Sequence, residues 1–144
     1  MVCRLKKHNL ALEEKKKITD AVRGFLINRR EIDFAFIHGS FVTAESFGDI
    51  DVAVYLAEKI TGPPVSYEIF LEMELEKSLK YPVDVRILNS APLSFRYQVI
   101  KNGAVLFERD ADRRANFQAG TIDMYLDFAP FRERYRKEVL GLEV

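Results

Sequence analysis

The chain has 144 residues, the length of one ordinary domain, with 48% hydrophobic and 31% charged residues, a composition that supplies a core in a soluble globular protein. Lys plus Arg and Asp plus Glu each number 22, so no overall field recruits nucleic acid or a membrane surface. Cys3 is the only cysteine and His8 and His38 the only histidines, which excludes an intrachain disulfide or a cysteine zinc site and argues against chemistry that needs several imidazoles.

Taken in chain order, Asn9 is placed to cap a first helix running to about Asn28, with Ile18, Ala21, Val22, Phe25 and Leu26 on its apolar face. Ile32–Ile37 is rich in β-formers and predicts a first strand that ends at His38-Gly39. Ile50–Leu56 predicts a second, with Ile50, Val52 and Val54 on one face and Asp49, Asp51 and Ala53 on the other. Thr61–Pro64, "TGPP", is a loop signal. Ser66–Lys80 predicts a helix with Ile69, Leu71, Met73, Leu75 and Leu79 on broad apolar faces. Val83–Leu88 is a third strand carrying Asp84, Pro92–Lys101 a helix ended by Asn102-Gly103, and Ala104–Glu108 a short fourth strand.

From Asp110 to about Leu140 the pattern is a long helix, with a kink or break expected at Pro130 and an apolar stripe of Phe117, Met124, Phe128, Phe131 and Tyr135. The aromatics Phe117, Tyr125, Phe128, Phe131 and Tyr135 read as core packing rather than a nucleobase platform, and some of them are left open to a partner surface. The basic clusters, Arg4, Lys6, Lys7 and Lys15–Lys17 near one end and Arg132, Arg134, Arg136 and Lys137 near the other, read as solvated helix faces. Alternating strands and helices predict an α/β (α+β) fold: a small mixed sheet with flanking helices, a core over about residues 9–108, and a C-terminal helical extension over about 110–140, all in one domain. The charged N-terminus carries no signal-like apolar segment, and no run approaches the roughly 20 residues of a spanning helix, so a cytoplasmic protein with no membrane partner is expected.

The chemistry concentrates in "IHGSFVTAESFGDIDVAVYL", Ile37–Leu56. Asp49 and Asp51 lie two apart and leave the strand on the same face. Asp84 joins them if its strand is a neighbour. Three close carboxylates repel one another, and protonation or metal binding relieves that. All-oxygen ligands favour hard Mg2+ or Mn2+, with waters and substrate phosphate completing the shell, and two such ions form a phosphoryl-transfer clamp. Gly39 lets backbone approach a phosphate, and the Ser40 hydroxyl adds a donor. No Gly-Lys-Ser/Thr is present, so a Walker NTPase is unsupported. Arg86, on the face of Asp84, and Arg96 are both candidates for the compensating charge. His38, with no second imidazole, reads as a packed or hydrogen-bonded strand end.

These residues resemble the nucleotidyltransferases of the DNA polymerase β superfamily, and within them the minimal (MNT) type, the antitoxin half of HEPN/MNT toxin–antitoxin pairs. The family pattern of Gly-Ser, spacer, Asp-x-Asp and a third strand-borne Asp is matched by Gly39, Ser40, Asp49, Asp51 and Asp84. The resemblance extends over roughly Ile32–Leu140, through "YPVDVRIL", "LNSAPLSFRYQVIKNGAVLFERD" and "YLDFAPFRERYRKEVL". The spacer is shorter than the commonest form and has Thr43-Ala44 where Arg-Gly is frequent. The resemblance implies a nucleotidyltransferase fold in which Asp49, Asp51 and Asp84 hold two Mg2+ ions and catalyse, and Gly39 and Ser40 bind the nucleotide. It also implies transfer of AMP from ATP to a tyrosine hydroxyl of a cognate HEPN toxin. The altered spacer keeps a second expectation in view: a binding module that neutralises a toxin by occlusion, with little or no chemistry. Little chain remains after Asp84 to enclose an acceptor, so the acceptor is expected to bring its own surface. Direct nucleic-acid binding is not expected, and homo- or hetero-oligomerisation is left open.

Overall fold

The structure, a computed structural model, describes residues 7–139. The expectations for Cys3, Arg4, Lys6 and Leu140 fall outside the described residues. Six strands and six α-helices follow in the order β1 (His8–Asn9), α1 (Leu12–Ile27), β2 (Ile32–His38), α2 (Ser40–Thr43), β3 (Ser46–Phe47), β4 (Ile50–Leu56), α3 (Pro64–Leu79), β5 (Val83–Ile87), α4 (Leu93–Asn102), β6 (Ala104–Glu108), α5 (Ala111–Asp127) and α6 (Ala129–Glu138). The four-stranded sheet has the order β5-β4-β2-β6. Only β4 and β5 pair in parallel, so the sheet is mixed, as expected.

Period-2 alternation gives the sheet two different faces. One face presents Ala35, Ile37, Ile50, Val52, Val54, Val83, Val85 and Ile87 to Val22 and Leu26 of α1 and to Leu71 and Leu75 of α3. The other presents Phe34, Phe36 and Ala53 to Val99 of α4, with Phe95 and Phe117 packed alongside. Helices therefore cover both faces, and the carboxylates emerge at one end of the second. A register irregularity between Ile32 and Phe34 places Asp33 inside, where it is 2% exposed and its Oδ2 lies 3.3 Å from Arg113 Nη1. This pairing of a buried aspartate with a mostly exposed arginine was not apparent from the sequence.

Several boundaries differ from the expectation. Asn9 does not cap α1: it pairs with Ser46 in the β1–β3 ribbon, and the cap position belongs to Ala11, with no side-chain hydrogen bond. Asn serves caps and turns alike, so its presence alone could not choose between them. Ala21 is exposed. The helix expected from Ser66 begins at Pro64, because proline is well suited to a first turn whose N–H has no partner. The strand expected to reach Leu88 ends at Ile87, and Leu88–Ser90 form a 3-10 turn. Gly103 ends α4 as expected, but its backbone is extended and the constraint is space: a Cβ there would meet the Val99 carbonyl oxygen at 2.5 Å.

Along the outer edge of β5, three glutamates of α3 cap three strand N–H groups. Val83 N–H donates to Glu76 Oε1 at 3.1 Å, Val85 N–H to Glu72 Oε2 at 2.8 Å, and Ile87 N–H to Glu68 Oε2 at 2.8 Å. Four helical residues rise about 6 Å and two strand residues about 6.6 Å, so the two periods match over this span. The arrangement blunts an edge that could otherwise pair with another chain.

The expected break near Pro130 is present, at Phe128, between α5 and α6. Phe117 joins the core, whereas Met124, Phe128, Phe131 and Tyr135 are exposed and α6 buries no residue. The core-packing expectation is thus corrected for Phe128, Phe131 and Tyr135. Tyr125 stacks on Tyr97 at 3.7 Å between ring centroids, and the Arg132 guanidinium lies 3.7 Å from the Tyr125 centroid. This Tyr97–Tyr125–Arg132 stack ties α4, α5 and α6 together.

Candidate active site

The carboxylates sit where three elements meet. Asp51 is the second residue of β4, and parallel pairing sets it opposite Asp84 of β5. Antiparallel pairing on the other side sets it opposite His38, the last residue of β2. Asp49 stands two residues before Asp51, in the bend that leads into β4 rather than on the strand itself. Gly39 follows His38 at φ 77° and ψ −162°, a conformation that L side chains rarely adopt, and the chain then turns into α2. The Asp51 carboxylate packs on Gly39 where a Cβ would overlap its Oδ2. Among the expected site residues, Gly39, Asp51 and Asp84 are therefore adjacent, with Ser40 as the first residue of α2.

The electrostatics answer what compensates the buried charge. Burial pushes the Asp51 carboxyl up to about 7, and the charges of Asp49 and Asp84 push the same way, while Arg86 opposes them. Arg86 Nε lies 3.4 Å from Asp84 Oδ1. Of the two arginines singled out in the sequence, Arg86 is the counter-charge; Arg96 makes no ion pair among the described residues, and its Nε is buried without a partner. Compensation is partial, because one guanidinium faces three carboxylates.

His38 is packed edge-on against Phe95, with ring centroids 5.5 Å apart. Its Nε2 is buried without a hydrogen-bond partner. Burial holds its pKa below the ordinary imidazole value, against the opposing pull of Asp84. Among the described residues no group of three His, Cys, Asp or Glu side chains is gathered closely enough to hold a metal ion. The donor chemistry nevertheless suits a hard cation: all the candidate donors are oxygens, and the charges of Asp49 and Asp84 add to burial in raising Asp51.

Two cavities lie at this end of the sheet, and Asp84 lines one of them. One, of about 430 Å3, is lined by Asp84, Arg86, Ile87, Ala91, Pro92 and Phe95 among others. The second, of about 370 Å3, is lined by His38, Gly39, Thr43, Phe95, Gln98 and Asn102 among others. Both fall in the size range of small-ligand sites, roughly 300–1,000 Å3. Lys15 fixes the spacer that borders the second. Its Nζ donates to the carbonyls of Phe41 at 3.0 Å and Ala44 at 2.9 Å and lies 5.3 Å from the Phe41 ring centroid. Sequence reading missed Lys15, which sits inside a Lys run, and Phe95 and Gln98, whose helix carried no motif. For Lys15 the solvated-face expectation is corrected.

A family model for "Polymerase beta, Nucleotidyltransferase" matches residues 20–112. Among solved structures, the fold is similar to a chain of the tri-AMPylated Shewanella oneidensis HEPN toxin in complex with MNT antitoxin, at 22% identity and a TM-score of 0.71, covering 88% of this chain and 98% of that one. A toxin–antitoxin structure with AMP-PNP gives 22% and 0.71, covering 85% and 98%. The toxin–antitoxin structure MntA-HepT gives 23% and 0.66, covering 90% and 99%. No curated protein matches the chain. Among the described residues no helix is long and apolar enough to cross a membrane. The match runs from α1 through the start of α5 and takes in Gly39, Asp49, Asp51 and Asp84, and on that ground the chain belongs to the polymerase beta nucleotidyltransferase family.

Proposed function

We propose that the chain is a Mg2+-dependent protein adenylyltransferase that moves AMP from ATP to a hydroxyl, a tyrosine, of a HEPN-type partner and so acts as its antitoxin. The observation that carries the reading is the register of β4 and β5, which sets Asp51 beside Asp84 with Gly39 packed beneath Asp51. The family supplies the reaction class, and similar structures that hold AMP-PNP or an AMPylated HEPN toxin suggest the nucleotide and the acceptor.

Asp49, Asp51 and Asp84 would hold Mg2+, or Mn2+, with triphosphate oxygens and water completing the shell. Such an ion neutralises the triphosphate and the developing charge on the leaving pyrophosphate. The residues of the chain do the positioning. Gly39 leaves backbone open to the phosphates, and the Ser40 hydroxyl donates to them. Asp84 accepts the proton of the attacking hydroxyl, and Arg86 offsets the charge that Asp84 and Asp51 bring to the site. Incubation with α-labelled ATP, Mg2+ and the co-encoded partner tests this. Label should pass to the partner with wild type and be lost with Asp49→Asn/Asp51→Asn; equal labelling by both would overturn the catalytic role.

A second reading, neutralisation by occlusion, is favoured by the altered spacer, which has Thr43-Ala44 where Arg-Gly is frequent. A growth assay separates the two. Rescue from the toxin by a variant with Asp49, Asp51 and Asp84 all changed to Ala supports occlusion; lost rescue with complex formation intact supports catalysis.

A further inference from the structure

We infer that Lys15 is a positioning residue for the transfer: acting through the spacer, residues 41–48, it sets where Ser40 and Asp49 stand. The inference deepens the function proposed above and rests on it. The spacer joins two parts of the site, the Gly39-Ser40 turn at its start and Asp49 at its end. Neither end lies on a long element. Ser40 opens α2, a single turn of four residues, and Asp49 lies in the bend before β4. One helical turn is unstable alone, because its nucleation is unfavourable, so contacts must impose its shape. Phe41 and Phe47 contribute by burial in the core. They anchor the side chains of the spacer and leave its backbone to be tied.

Lys15 provides the tie. Its Nζ donates to the carbonyls of Phe41 and Ala44, at 3.0 and 2.9 Å, and so spans the last turn of α2 and the residue that caps it. Carbonyls at a helix C-terminus lack intrahelical partners, and a cation there is favoured by charge as well. The same ammonium lies 5.3 Å from the Phe41 ring centroid and 5.6 Å from that of Phe47. These rings pack edge to face 4.9 Å apart, and Phe47 in turn meets Tyr81, three residues before Asp84, at 5.8 Å. Lys15 thus acts on both ends of the spacer. Its own backbone is carried by α1, whose Val22 and Leu26 are buried against the sheet that bears Asp51 and Asp84. Contact runs from the sheet to α1, to Lys15, to the spacer, and back to the two site residues outside the four-stranded sheet. The bond to Ala44 is exposed, so water can replace Lys15 there without unfolding the chain. Water cannot hold both carbonyls at a fixed place relative to α1.

The test compares the full chain with Lys15→Met, which keeps the apolar stem and removes the donor, using Mg2+-ATP as ligand and the co-encoded partner as acceptor. In the metal-free, nucleotide-free variant the amide resonances of residues 40–49 should shift or broaden, while those of β6 stay in place. Mg2+-ATP binding, and AMP transfer at saturating ATP, should each fall about tenfold, the scale of a small misplacement at a reacting centre. The metal-free Tm should fall by only a few degrees. Lys17→Met, a change at an exposed lysine of the same helix, should match wild type in every readout. If Lys15→Met does not fold, Lys15→Gln, with one amide in place of the ammonium, carries the same comparison. Wild-type binding and transfer in the Lys15 variant would overturn the inference. So would weakened ATP binding with the resonances of residues 40–49 unmoved, which would make Lys15 a direct phosphate contact. An equal loss in Lys17→Met would overturn it too, as an effect of net charge. Each of these leaves the proposed function standing. Failure of the wild type itself to bind Mg2+-ATP would overturn both.

Discussion

Asp51 Oδ2 occupies the space that a Cβ at Gly39 would take. The glycine is thus needed twice, once for its positive φ of 77° and once for the carboxylate above it. Gly39→Ala must either push Asp51 away from the turn or strain the backbone. The expected cost is about 1–3 kcal/mol of stability, read from urea unfolding, together with loss of any rise in Tm on adding Mg2+-ATP. A variant as stable as wild type with the full nucleotide shift would show that the packing of Asp51 on this turn is incidental.

Asp51 also gives the fold a pH signature. Its carboxyl is raised to about 7 in the folded state, from an ordinary value of 3.8, chiefly by burial and then by Asp49 and Asp84. The folded protein therefore binds this proton more tightly than the unfolded chain does. The stability that the neutral form provides is full below about pH 4 and is lost as pH rises through about 7. Asp51→Asn, which mimics the neutral form, should raise the Tm of the metal-free protein by a few degrees at pH 8, corresponding to about 1 kcal/mol, and by almost nothing at pH 4. Melting curves of both proteins across that range check the sign; a variant less stable than wild type at pH 8 contradicts it.

The glutamates of α3 should be individually measurable. Glu72→Ala leaves the buried Val85 N–H without its acceptor, which should cost about 1–3 kcal/mol. Glu72→Gln keeps an acceptor oxygen and should cost less. Hydrogen exchange at the Val85 amide gives the local readout: faster exchange in the Ala variant than in the Gln variant is expected, and equal rates would show that the helix cap is not what protects this edge.

Helix α6 buries no residue of its own, and a ten-residue helix is marginal in water without tertiary support. The Arg132–Tyr125 contact, continued to Tyr97, supplies that support. Tyr125→Ala should accelerate tryptic cleavage after Arg132, Arg134 and Arg136 several-fold while leaving the amide spectrum of the four-stranded sheet in place. Unchanged cleavage would mean that α6 is held by something other than the stack.

Much of this site was legible in the sequence because its signals are local. Strict alternation in Ile50–Leu56 put Asp51 on the face opposite Val52, and apolar Val83 and Val85 did the same for Asp84. The pairing that makes them neighbours is non-local, and nothing in either segment specifies a parallel register with Asp51 against Asp84. Lys15 was hidden by its charged neighbours, since only the path of the spacer shows which lysine reaches Phe41 and Ala44. The stripe from Met124 to Tyr135 has the spacing of a core-facing helix, yet periodicity reports amphipathicity and not what covers the face. In this chain the described residues leave it exposed.

The three-glutamate contact between α3 and β5 also bears on how such a chain can change over time. No tight hairpin joins β4 to β5, so the connection itself does not set their alignment. The spacing of Glu68, Glu72 and Glu76 against Val83, Val85 and Ile87 works like a vernier, since a slip by one residue would misalign every bond at once. Residues 57–63, which lead into α3, can then lengthen or shorten without moving Asp84 from Asp51. Variation in that loop is decoupled from the chemistry, and the outer rim of the molecule is free to be remodelled around a reaction centre whose spacing is set elsewhere.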